Sequence, residues 1–148
     1  MSEKDKWTEV SEVLSVFPTF VWIFQLTSEC RQRVNSNILQ VINQIKPDLA
    51  EIPPGASWLS EQDLHNREQL VDLISCIDRT AQTVLRFLKV GHNEIEITGC
   101  WANISARGAS RAIHSHPNIF LSGIYYVHTH PGANSVNFHD PMSQTGII

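Results

Sequence analysis

The chain has 148 residues, a net charge of −4, 42% hydrophobic and 18% charged residues; this fits one domain over 1–148 with a packed core and excludes a disordered chain. The acidic balance, with no basic run and no basic patch interleaved with aromatics, argues against nucleic-acid binding. Three widely spaced cysteines, Cys30, Cys76 and Cys100, suit reduced thiols in a cytoplasm and not a disulfide framework.

Residues 1–15 are polar and acidic, carry no secretory leader, and are expected to be flexible. The apolar run 16–26 (VFPTFVWIFQL) is too short to span a bilayer, so no membrane partner is expected. Its branched and aromatic residues predict a strand, with Pro18 near the start. Residues 28–46 are predicted helical. Ser28 is placed to cap them, Val34, Ile38, Leu39, Val41, Ile42 and Ile45 form an apolar face, and Pro47 ends them. Pro53-Pro54-Gly55 marks a loop over 48–57. Residues 67–89 predict the longest helix, with Leu70, Leu73, Ile74, Ile77, Ala81, Val84, Leu85 and Leu88 inward and Gly91 as the stop. His65, just before it, is expected to be exposed. His92-Asn93-Glu94 has the H-x-D/E spacing of a metal motif, but it lies between a helix and a strand and carries little weight.

Residues 94–104 (EIEITGCWANI) alternate. Ile95, Ile97, Trp101 and Asn103 share one face, Glu94, Glu96 and Thr98 begin the other, and a strand is predicted with Cys100 as a core residue. Residues 105–110 (SARGAS) predict a turn. Residues 119–127 (IFLSGIYYV) predict a buried strand, with Gly123 at a bulge or a close backbone approach. Tyr125 and Tyr126 alternate faces there, so one of them looks inward. Between these segments lies His114-Ser115-His116-Pro117. On an extended backbone, residues i and i+2 share a face, so the two imidazoles can meet one ion. Spacing alone leaves metal ligands and solvated surface histidines both open. His128 and His130, followed by Pro131-Gly132, predict a solvated hairpin tip; one more strand follows at 134–138, and Asp140 suits a turn.

H-S-H-P also begins the zinc motif of the JAMM isopeptidases, which continues with Ser and, three positions on, Asp. Here Ser122 is followed at that spacing by Tyr125, and Ser135 by Phe138. A JAMM-like zinc hydrolase would therefore lack its third ligand. A non-catalytic jelly-roll binding protein is a further alternative.

The ordered run G-C-W-A-N, G-A-S, H-S-H-P-N, F-L-S-G-I-Y-Y-V, P-G-A and N-F-H-D-P resembles a family of bacterial and phage Fe(II)/2-oxoglutarate-dependent oxygenases. The resemblance continues through Ser143-Gln144-Thr145-Gly146-Ile147. It is weaker upstream, at Phe17-Pro18-Thr19 and Trp58-Leu59-Ser60. It implies a mostly β fold with flanking helices, a double-stranded β-helix (jelly-roll, cupin-like) with iron at its mouth. It also implies Fe(II), 2-oxoglutarate and O2 as cofactor and cosubstrates, and hydroxylation of a small-molecule or peptide substrate. The usual iron site is a facial triad of two His and one carboxylate. By this resemblance the metal ligands are His114, in the first His position, and His116, where many relatives place Asp. Arg111 stands where the family often has His and is expected to contact substrate or a carboxylate, or to be plain surface, and not to be a ligand. Asn103, Asn118, Ser122 and Tyr126 are expected as cosubstrate or substrate contacts, with turn chemistry the other role open to the first three. The family's distal His and its 2-oxoglutarate-anchoring basic residue are not in their expected place. The expectation is therefore a jelly roll incomplete at its C-terminal side: a strand and supporting helices over 16–91, the first half of the β core over 92–148, and exposed sheet edges that would pair in a homodimer.

Overall fold

The structure is a computed structural model that describes residues 19–46, 48, 51–91, 94–130 and 136–139. The expectations for residues 1–18, Pro47, His92-Asn93, 131–135 and 140–148, including Asp140, lie outside the described residues.

Two helices carry the core. Helix α1, Ser28–Ile45, is the one its apolar spacing predicts. Its cap is Thr27 and not Ser28: the Thr27 backbone is extended, and Oγ1 accepts the Cys30 N–H at 3.3 Å. Val34, Ile38, Val41 and Ile42 are buried, while Leu39 faces out. Helix α2, Val71–Phe87, has 17 residues against 18 in α1, so it is not the longest helix. Two short 3-10 turns, Leu64–Asn66 and Glu68–Leu70, replace the first turn expected from residue 67. They bury Leu64 and Leu70 against α1.

Gly91 does not stop α2. Lys89 takes the left-handed conformation instead, at φ 57. The Lys89 N–H donates to the Arg86 carbonyl, and the Val90 N–H to the Leu85 carbonyl. That pair of bonds is a Schellman cap, whose left-handed position usually holds glycine.

Strand β1, Ser57–Leu59, pairs antiparallel with β2, Asn103–Ser105, and Trp58 faces Ile104. Further backbone bonds continue the contact in both directions, from Gly55 N–H to the Arg107 carbonyl and from Cys100 N–H to the Gln62 carbonyl. Trp58, Cys100, Ala102 and Ile104 pack on the core cluster of Val34, Ile38, Val41, Ile42, Leu64 and Leu70. The expected face of residues 94–104 is therefore only half right. Ile95 and Ile97 are half-buried, but Trp101 (37% exposed) and Asn103 point outward. The alternation changes phase at Gly99-Cys100, where Cys100 forms a bridge with Asp63.

The mostly β jelly roll, or double-stranded β-helix, expected from the resemblance is corrected by the structure. The described residues form two helices and one two-stranded antiparallel sheet, with the remainder mostly loop. Residues 19–26, 94–98 and 119–127 belong to no strand. Their β-branched and aromatic side chains suit a pleated surface, but a strand also needs a neighbour for its backbone N–H and C=O groups. The segment 19–26 instead lays Phe20 and Trp22 against Phe87 at the end of α2, with ring centroids 5.3 and 5.7 Å apart.

Candidate functional site

The site begins where β2 ends. A turn closed by the Ala109 N–H to the Ala106 carbonyl at 3.0 Å, with Gly108 at φ 81, redirects the chain. This is the turn expected from SARGAS. The following residues 111–120 are all exposed.

His114 and His116 come together there, with ring centroids 5.1 Å apart and planes at 74°. His114 Nδ1 lies 2.9 Å from the Ala112 carbonyl. A carbonyl only accepts, so Nδ1 donates here, and in the neutral ring Nε2 keeps its lone pair. An imidazole fixed in this way, by a backbone carbonyl on one nitrogen, is oriented as metal-binding histidines usually are. Trp101 flanks the pair, its ring 6.0 Å from that of His116. Its outward placement, two residues before β2, is what allows this contact.

The other candidates are more loosely placed. Asn103, Arg111, Asn118, Ser122 and Tyr126 are exposed, and none hydrogen-bonds to either imidazole. Asn118 sits in a turn at φ 63, a conformation that asparagine tolerates better than most residues. Gly123 has open space where a Cβ would stand, and no close backbone approach requires it.

Of the two tyrosines, Tyr125 is the inward one and Tyr126 (49% exposed) the outward. The Tyr125 hydroxyl donates to Asn35 Oδ1 at 2.7 Å, and Asn35 Nδ2 donates to the Val127 carbonyl at 2.9 Å. Burial pushes the Tyr125 phenol above its ordinary pKa. Asn35 was invisible in the sequence: it is one polar residue on α1, 90 positions from Tyr125.

His128 and His130 form a second imidazole pair, with centroids 5.2 Å apart. Both are exposed, as is His139. Among the described residues no three or more His, Cys, Asp or Glu side chains are grouped to hold a metal ion. The donor set is therefore two imidazoles, where a facial triad needs three ligands. The described residues do not by themselves complete an iron site, and no step through a metal follows from them.

A cleft of about 210 Å³ lies elsewhere, between Ile45, Trp58, Ser60, Glu61, Asp63 and Arg67, and shares no residue with the histidine pair. Beside it, His65 Nδ1 and Arg67 Nε are buried without a hydrogen-bond partner. His65 is half-buried and not exposed as expected.

Residues 99–148 match the model of a family described as "Putative 2OG-Fe(II) oxygenase", and every candidate site residue falls within the match. No curated protein and no solved structure matches the chain.

Proposed function

We propose, from the 2OG-Fe(II) oxygenase match that residues 99–148 carry, that the chain serves an Fe(II)- and 2-oxoglutarate-dependent dioxygenase that hydroxylates a small-molecule or peptide substrate. The observation that carries this reading is the His114–His116 pair: one imidazole has its tautomer set by the Ala112 carbonyl, and the second lies 5.1 Å away. Fe(II), 2-oxoglutarate and O2 are what the family implies as cofactor and cosubstrates.

The chain's own groups take binding and positioning roles. His114 would offer Nε2 and His116 a second nitrogen to the ion. Trp101 covers one side of His116. Arg111, exposed and three residues before His114, is the cation nearest in sequence for a carboxylate of cosubstrate or substrate. Asn103, Ser122 and Tyr126 are exposed hydrogen-bonding groups available to the same ligands. A JAMM-like zinc site would need an aspartate where Tyr125 stands, and Tyr125 is committed to Asn35. Among the described residues no helix is long and apolar enough to cross a membrane. A cytoplasmic location, favoured by three free thiols, belongs to the same proposal.

Anaerobic titration with Fe(II) and 2-oxoglutarate tests the reading. A visible charge-transfer band should appear with the wild-type chain and be lost in His114→Ala. A folded wild-type chain that shows no band overturns the reading for these residues.

A further inference from the structure

We propose that Cys30 and Cys76 form an oxidative modification site, a thiol pair that closes as a disulfide between α1 and α2 when the protein meets a peroxide. Their Sγ atoms are 3.7 Å apart, although the residues are 46 positions apart in the chain. One sits in the first turn of α1 and the other within α2, so the contact is made by the packing of the two helices. Both are free and half-buried, which leaves a path for a molecule as small as hydrogen peroxide. Cys100 is also half-buried, but it makes no thiol contact among the described residues.

The chemistry balances with one peroxide. The Cys30 thiol loses its proton to solvent, its thiolate attacks a peroxide oxygen, the O–O bond breaks to leave a sulfenic acid, and the departing hydroxide takes up that proton as water. The Cys76 sulfur then attacks the Cys30 sulfur, the S–O bond breaks, and a second water leaves with the Cys76 proton. Two thiols are oxidised by two electrons and one peroxide is reduced. Burial, followed by the contact with Cys30, pushes the Cys76 thiol up, which suits it to the later, resolving step. The sulfurs have to approach from 3.7 Å to a bonding distance of about 2.05 Å.

The test uses the full chain, reduced and then exposed to stoichiometric hydrogen peroxide, followed by alkylation, intact mass and non-reducing peptide mapping. The expected result is loss of two hydrogens, a linked Cys30–Cys76 peptide, alkylated Cys100, full reversal by dithiothreitol, and a thermal midpoint raised by about 10 °C. Cys100→Ser should behave as wild type. Cys30→Ser and Cys76→Ser should each lose the internal link. The proposal is overturned if all three thiols are still alkylated after peroxide. It is equally overturned if the link involves Cys100 or joins two chains, or if Cys100→Ser abolishes it.

Discussion

Asn35 is a single amide that serves two partners at once, accepting from the Tyr125 hydroxyl and donating to the Val127 carbonyl. Replacing it by alanine strands both groups in a half-buried setting, and the cost of an unmade buried bond is about 1–3 kcal/mol. Asn35→Ala should lose stability of that order in urea unfolding. Tyr125→Phe, which leaves the Val127 bond intact, should lose less, and the double variant should fall short of the sum because the partners are shared. The ionisable groups of the interior set a pH dependence. Burial raises the folded-state pKa of Cys100 and Tyr125, and burial with the Cys30 contact raises that of Cys76. A group whose pKa is raised on folding holds its proton longer in the native state, so its stabilisation is complete below the unfolded pKa and is lost as pH climbs through the folded one. With unfolded values of about 8.5 for Cys and 10 for Tyr, stability should be flat near neutrality and fall from about pH 8.5 upward. Urea midpoints measured across pH 7 to about 11 would show it, and Cys100→Ser should soften the first part of the decline.

At the scale of elements, apolar spacing located both helices but not their ends. Val34, Ile38, Val41 and Ile42 repeat so regularly that α1 could be read directly, yet its cap fell one residue earlier, on Thr27. Glycine is the residue type expected to end α2, whereas the chain turns at Lys89. A lysine in the left-handed region bears a cost that glycine avoids, so Lys89→Gly should stabilise the protein by roughly 0.5–1 kcal/mol. Gly91 is not in that region and faces open space, so Gly91→Ala should leave the thermal midpoint within about a degree of wild type or slightly above it. Strands were harder to read than helices because their bonds are made with distant partners that composition does not specify. Residues 124–127 keep a strand's alternation, with Tyr125 and Val127 half-buried and Ile124 and Tyr126 exposed, yet they belong to no strand. Of the candidate site, the imidazole pair could be read from its spacing and from family resemblance. The Trp101 flank could not, because the phase change at Gly99-Cys100 reversed the outward face.

Across the whole molecule, burial is uneven. The core joins α1, the 3-10 turns before α2 and the β1–β2 pair. The later segment instead presents Ile113, Phe120 and Ile124 to solvent at 76%, 67% and 66% exposure. Side chains that bury little contribute little to folding, so Phe120→Ser and Ile124→Ser should change stability by less than about 0.5 kcal/mol while reducing binding of a hydrophobic dye. A loss well beyond that would place these side chains in a packed interior. Hydrogen exchange should divide along the same line, slow in the interior of α1 and α2 and fast over 111–124, where the backbone forms no helix or strand.

The double grip of Asn35 ties residues 125–127 to α1, so a ligand that favours those residues held in place is linked to the helix. Any ligand that binds the histidine pair and prefers residues 125–127 held in place must, by linkage, hold α1 more firmly by the same free energy. Loosening the grip must then weaken that ligand by an equal factor, even though Asn35 lies on a helix and outside the matched segment.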